Sequence, residues 1–300
     1  MRDILFGAGD SIDRYYRECS FGNLSFSGDV VGPYTIPHPN DGSDGYTPAG
    51  WAWAAEKMAA AAGVNLSLYT QKVYVLAPTT AYWAGTAFLG GNQAWVNGGY
   101  WSDKGVYAHE IGHCLGMYHA STPSAEYGDG SDVMGYGLTT LPHTNAPHKI
   151  QMGWLPDTRV QTITQSGSYS ISLLETAGSA AQALKIAIPN SHLFYYLSYR
   201  RRVGFDATFA HVTVSYFVPN QRPVIVSLPW ATPNPVTLPS TTTVAVAAND
   251  PDNGPAPLAY SWSVASGPGT VSFSPNGTTG SAYSTASRKC HLSNQRTSLG

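Results

Sequence analysis

The chain has 300 residues, 43% of them hydrophobic and only 11% charged, with a formal net charge of −2. That length allows one large domain or two ordinary ones around a sizeable core. With no block of like charges, nothing in it suits a nucleic-acid partner or an anionic membrane surface. The 31 Gly and 21 Pro imply many turns and short strands, and so little charge implies a surface of Ser, Thr, Asn, Gln, Gly and Tyr, which reads as extracellular and β-rich.

Met1 to Asp13 surrounds a very short apolar stretch with Arg2, Asp3, Asp10 and Asp13 and is no signal peptide, so a secreted location requires a start that is missing or processed. Asp10 to Cys19 reads as a short helix capped by Asp10 or Ser11. Trp51 to Ala62 reads as an Ala-rich helix ending near Gly63. Glu56 and Lys57 interrupt it, and it is too short to span a bilayer. Lys72 to Ala77 alternates like a strand stopped by Pro78, and Gly90 to Val96 reads as another. Gly105 to Leu115 is the next helix. After Trp154 come short strands at Ser168 to Leu174, Ala183 to Ile188, Phe194 to Tyr199 and His211 to Phe217. Pro219, Pro223, Pro229, Pro233, Pro235 and Pro239 then mark a stiff linker or an edge-strand region. Thr241 to Ala248, Tyr260 to Val264 and Thr270 to Phe273 open a new β segment. The expected domains are 1–221, 222–286 and an irregular tail, 287–300. Cys19, Cys114 and Cys290 match no metal motif or disulfide framework and allow at most one pair.

Residues 109 to 119 read H-E-I-G-H-C-L-G-M-Y-H. His109 and His113 are four apart, one turn along the same helix face. Gly116 tolerates positive φ and can turn the chain so that His119 approaches from another direction. Three neutral imidazoles leave one zinc position open, the catalytic rather than the structural arrangement. Glu110 is not needed as a ligand and can accept a proton from the metal-bound water. The full spacing arises by chance in about one in 10⁵ chains of this length.

This extended motif is the metzincin signature. That superfamily places a methionine in a tight turn beneath the metal, which points to Met134 in Asp132-Val133-Met134-Gly135-Tyr136, with Met152 as runner-up. Tyr136 resembles the tyrosine that, in two metzincin branches, ligates zinc or stabilises the transition state. At closer range residues 10 to 216 resemble the gametolysin-like peptidases. The matching pieces are Tyr15-Tyr16-Arg17-Glu18-Cys19-Ser20-Phe21-Gly22, the zinc motif with Ala120, Glu126-Tyr127-Gly128-Asp129, Asn145-Ala146-Pro147-His148-Lys149 and Gly153-Trp154-Leu155. Further on, Tyr195-Tyr196-Leu197, Tyr199-Arg200 and Gly204-Phe205-Asp206 fit the family's later β region.

The resemblance implies an α+β fold, a metzincin-type catalytic domain with a twisted mixed sheet and active-site helices. A short all-β segment follows it. Residues 223 to about 285 resemble PKD-like or Ig-like modules, but supply only four or five of about seven strands. Gly128 to Asp132 and Asn249 to Asn253 could bind Ca2+ or form Asx-rich turns. His148 is read as a loop-stabilising residue outside the ligand set, and Cys114 as facing the core. The strand Gln93 to Val96 is expected to pair with an extended substrate.

The function expected is a secreted Zn2+-dependent endopeptidase hydrolysing extracellular or cell-wall proteins through a zinc-bound water activated by Glu110. Its partner would be a protein or peptide, including a cell-wall or matrix glycoprotein, with no nucleic acid, no membrane span and a monomeric state. The rival is a non-catalytic metal-stabilised adhesin or matrix-binding protein, for which an intact Glu110 would have no use.

Overall fold

The computed structural model describes residues 1–39, 48–135, 141–191 and 193–207, then strands at 211–217, 224–232, 243–249, 264–266, 272–274, 280–284 and 291–292. The chain divides into two units, Met1–Val218 and Pro219–Gly300. Helix α1 (Arg2–Phe6) leads into α2 (Ile12–Cys19). Of the two caps expected, Ser11 is the one used: its side chain accepts from the Arg14 amide at 3.3 Å. Helix α3 (Pro48–Ala61) follows. A three-stranded sheet comes next, with β1 (Lys72–Val75) parallel to β3 (Gln93–Val96) and β2 (Gly85–Ala87) antiparallel to it on the other side. Ala94, Trp95 and Val96 are buried, and α4 (Lys104–Cys114) packs across β2 and β3.

Helix α2 is held by two tyrosines, one reaching α4 and the other the segment before α5. The Tyr16 hydroxyl donates to the Ala108 carbonyl at 2.5 Å, and the Tyr15 hydroxyl to the Pro142 carbonyl at 2.7 Å. Their rings meet edge-to-face at 5.1 Å, in a core with Ile12, Val106, Met117, Met134 and Trp154. A buried tyrosine contributes a large apolar area but needs a partner for its hydroxyl, and both have one. Helix α5 (Ala146–Gln151) is capped by Asn145, which accepts from the His148 amide at 3.0 Å. It packs against a second sheet in the order β4 (Val160–Ile163), β5 (Ala183–Ala187), β6 (Phe194–Arg200) and β7 (His211–Phe217). No helix among the described residues is long and apolar enough to cross a membrane.

A buried polar network joins these layers. Arg200, at the end of β6, donates to Asp206 Oδ2 at 2.6 Å and to the carbonyls of Ser131 and His143. Asp206 Oδ1 accepts from the His143 amide at 3.0 Å. His143 Nε2 contacts Glu18 Oε1 at 2.8 Å, and Lys149 Nζ donates to the Cys19 carbonyl. Arg200, Asp206, His143 and Lys149 are all fully buried.

Two expectations change. Ser168 to Leu174 is not a strand: it makes one bridge, Leu173 to Tyr199, with Leu174 N bonded to Tyr199 O at 2.9 Å. Tyr169, Ile171 and Leu173 do alternate, but the segment finds only this bridge rather than a strand to pair with along its length. Gln93–Val96 is the central strand of its sheet, so both its edges are taken and it cannot receive a substrate. Of the two readings of the proline-rich stretch, the edge-strand one holds over 224–232, where β8 (Val224–Thr232) is an edge strand of a four-stranded sheet. Its register shifts between Ser227 and Trp230, around Pro229, which cannot donate to a ladder.

In the second unit β8 pairs β9 (Thr243–Asn249), and β9 pairs the strand Gly280–Ser284, which pairs Ser272–Ser274. Val264–Ser266 pairs His291–Leu292. Cys19 and Cys114 are buried free thiols, and Cys290 lies outside the described residues.

The end of α4 is set by Gly116, at φ +97°. Its amide bonds to the His113 carbonyl and the Met117 amide to the Gly112 carbonyl, both at 2.9 Å. This pair of bonds is a Schellman motif, and it needs a left-handed residue. Gly116→Ala is therefore expected to lower unfolding stability by about 1–2 kcal/mol, read by denaturant titration. An unchanged midpoint would show that the turn tolerates a side chain.

Candidate metal centre

Helix α4 starts on Asp103, whose carboxylate accepts from the Gly105 amide at 2.9 Å, and presents His109 and His113 one turn apart. The turn at Gly116 brings His119 back to them. Ring centroids lie 4.7 Å (His109–His113), 4.8 Å (His113–His119) and 5.3 Å (His109–His119) apart. One ligand atom from each ring falls within 4.8 Å of the others.

Each Nδ1 is already engaged: His109 with the Val133 carbonyl at 2.9 Å, His113 with the Met117 carbonyl at 2.8 Å, and His119 with Glu126 Oε1 at 2.7 Å. Those acceptors assign the proton to Nδ1 and leave the Nε2 lone pairs inward. The Nε2 atoms of His113 and His119 are 3.1 Å apart, where facing lone pairs repel unless a cation lies between them. Nitrogens about 2.1 Å from one tetrahedral ion stand roughly 3.4 Å apart, so the residues fit zinc.

Beneath the helix lies Met134, fully buried. A Cβ at Gly112 would come within 2.4 Å of its Sδ, so the thioether rests on the helix between the two histidine turns. The Met134 amide donates to Asp132 Oδ1 at 2.6 Å and its carbonyl accepts from Ala120 at 2.9 Å. Met152 instead caps the end of α5.

The sequence model of the gametolysin peptidase M11 family matches residues 2–221. The chain belongs to this family. Comparison with curated proteins and with solved structures gives no match. The family makes the chain a metallopeptidase, and the three-histidine cluster of this gametolysin-family domain suggests zinc as its metal.

Electrostatics prepare the histidines of this gametolysin-type site for a cation. Burial, then the charges of the other two, holds His113 well below the usual histidine range. Burial and His109 lower His119 to about 3, and burial lowers His109. All three are therefore neutral near pH 7, and the His119–Glu126 contact is a hydrogen bond to a carboxylate rather than an ion pair. Glu110 is buried, and that burial pushes its carboxyl up to about 8. Its side chain presses on β2, where a Cβ at Gly85 would meet its Cγ at 2.6 Å. It is not among the convergent donors.

The aspartates of Gly128 to Asp132, read as a possible Ca2+ site or an Asx-rich turn, are occupied by protein donors. Asp129 Oδ1 accepts from Ser131 N and Oγ, and its Oδ2 from Asn145 Nδ2 at 3.0 Å. Asp132 Oδ2 accepts from the Asn145 amide at 2.6 Å and from His148 Nδ1 at 2.8 Å. Nothing here supports calcium, and Asp129 forms an Asx turn; residues 250–253 lie outside the described residues. His148 stands outside the ligand set and pairs with Asp132, while Cys114 donates to the Gln93 carbonyl at 3.4 Å. Tyr136 also lies outside the described residues.

Reading the residues did not single out Glu126 and Tyr127. The Tyr127 ring lies against His119 with centroids 3.9 Å apart. Their only signal was the Glu126-Tyr127-Gly128-Asp129 match to the family.

At pH 6 the metal-free site holds Glu110 protonated, its carboxyl being pushed up to about 8, while burial disfavours charge on the histidines. A cation beside a carboxyl favours the charged form. Zinc binding at pH 6 should therefore release about one proton, measured by calorimetry in buffers of different ionisation enthalpy. Glu110→Gln should abolish the release; release that persists in that variant would assign the proton to the histidines.

Proposed function

We propose that this gametolysin-family chain is a zinc-dependent endopeptidase of metzincin type, acting outside the cell on protein substrates, with Glu110 as general base. The observation that carries the reading is the convergence of three backed imidazoles with a carboxyl beside them that is not a donor in the cluster. Zinc held by His109, His113 and His119 would supply a Lewis acid that polarises a carbonyl and acidifies water. Glu110 then takes the proton at its carboxylate and returns it to the leaving amine. Burial keeps bulk water from the carboxylate and raises its basicity. Met134 supports the ligand helix from below, and Tyr136 is assigned from its sequence position as a donor to the oxyanion.

For substrate binding, β2 replaces the strand expected. It ends the order β1-β3-β2, so among the described residues one of its edges carries no partner strand. An extended peptide adding there would pass Gly85, which touches Glu110. The low charge of the chain suits an extracellular or cell-wall protein as substrate.

Glu110→Gln should keep its zinc and lose roughly 10²- to 10⁴-fold in kcat/KM on a fluorogenic peptide. Activity above about a tenth of wild type would remove Glu110 from the role of base, and a wild type that holds zinc but cleaves no peptide would leave the adhesin reading. We also place the catalytic domain at 1–221, because the family match covers that stretch. A chain ending at residue 221 is expected to stay within about tenfold of full-length kcat/KM; an insoluble or slower product would show that the later strands complete the domain.

A further inference from the structure

The three histidines are not backed alike. His109 and His113 stand on one helix, and their Nδ1 atoms meet backbone carbonyls, Val133 and Met117. Those carbonyls are fixed by the turns that carry them. His119 lies beyond the helix end, and its Nδ1 meets a side chain, Glu126 Oε1, at 2.7 Å. The Glu126 side chain is 59% exposed, against 8% for His119. A solvated glutamate keeps rotamer freedom that a backbone carbonyl lacks.

The chain between them is short and folds back on itself. Thr122 and Ala125 form a bridge, with Thr122 N bonded to Ala125 O at 2.8 Å. Asp129 N bonds to Ala120 O at 2.9 Å and closes the base. Ser121 Oγ donates to the Glu126 carbonyl. The closed loop returns residues 126 and 127 to His119, where Glu126 takes the ring nitrogen and the Tyr127 ring covers the imidazole at 3.9 Å, tilted by 37°.

We propose that Glu126 is the positioning residue of the third ligand, and that the His119–Glu126 arm is the one that swings to admit and release the metal. The inference rests on the reading that these three histidines hold zinc. The other two ligands have no comparable freedom, because their helix and their carbonyl partners are buried. For His119 to turn away, its surface hydrogen bond to Glu126 opens and the imidazole slides from beneath the Tyr127 ring.

The test compares full-length wild type, Glu126→Ala and Glu126→Gln. Zinc affinity is measured by competition with a chromogenic chelator, the dissociation rate by trapping with excess chelator, and the Tm of each metal-free form by circular dichroism. The Ala variant removes the acceptor and is expected to bind zinc about 10- to 100-fold more weakly, mainly through faster release. The Gln variant keeps a carbonyl oxygen, the same kind of acceptor that serves His109 and His113, and should recover most of the loss. Both metal-free variants should melt within about 2 °C of wild type, as exposed substitutions do. Several results overturn the proposal: an Ala variant that binds and releases zinc like wild type, a Gln variant as weak as Ala, or a metal-free Tm that falls in step with affinity. A wild-type chain that binds no zinc overturns the metal site itself, and this inference with it.

Discussion

The candidate metal centre depends on Asp132. This carboxylate is buried and accepts three hydrogen bonds, from the amides of Met134 and Asn145 and from His148 Nδ1. Burial alone would raise its pKa, but the charge and hydrogen bond of His148 and the two amides hold it below the usual carboxylate range. His148 is raised in turn: burial opposes its charge, and Asp132 outweighs the opposition. Breaking a buried pair by removing one partner typically costs about 3–5 kcal/mol, because the other charge is left without compensation. Here the loss would also strand two buried amides. One of them fixes the turn that carries Met134 and the Val133 carbonyl behind His109; the other opens α5. The floor of the site is therefore a polar knot, and the apolar contacts of Met134 are arranged around it.

What could be read from sequence was local. The ligand spacing, the helix that carries it and the left-handed turn at Gly116 are set within a dozen residues, and short-range hydrogen bonds enforce them. The Ser11 cap is legible for the same reason. Strand assignment failed where pairing is non-local. Three-residue β2 has no periodicity to detect, yet it forms the sheet edge beside Glu110. Gln93–Val96 reads as an exposed strand until Lys72–Val75 and Gly85–Ala87 are found on its two sides. Ser168–Leu174 reads as a strand but makes a single bridge. Glu126 was invisible because its partner, His119, lies across a folded loop with no recognisable period. The proline-rich stretch carried two readings, and only the ladder of β8 with β9 separates them.

In a chain with so little charge, several charged side chains lie inside. Glu110, Asp132, Lys149, Glu175, Arg200 and Asp206 are all buried, as are His143 and His148. The described surface carries its charges sparsely, among exposed aromatic groups such as Tyr82, Trp53 and Trp101. Such an exterior has little long-range field, so encounters with other molecules depend on shape and on hydrogen bonding at close range.

The network around Arg200, Asp206, His143 and Lys149 has a thermal consequence. Charged groups are hydrated with a strongly negative entropy, so the penalty for keeping them from water shrinks as temperature rises, while apolar burial gains little more per unit area. Layers joined by buried charge therefore hold together comparatively better in the heat than layers joined by grease alone. Upper heat tolerance in this domain should track positions 18, 143, 149, 200 and 206 more closely than the aromatic core around Tyr15 and Tyr16.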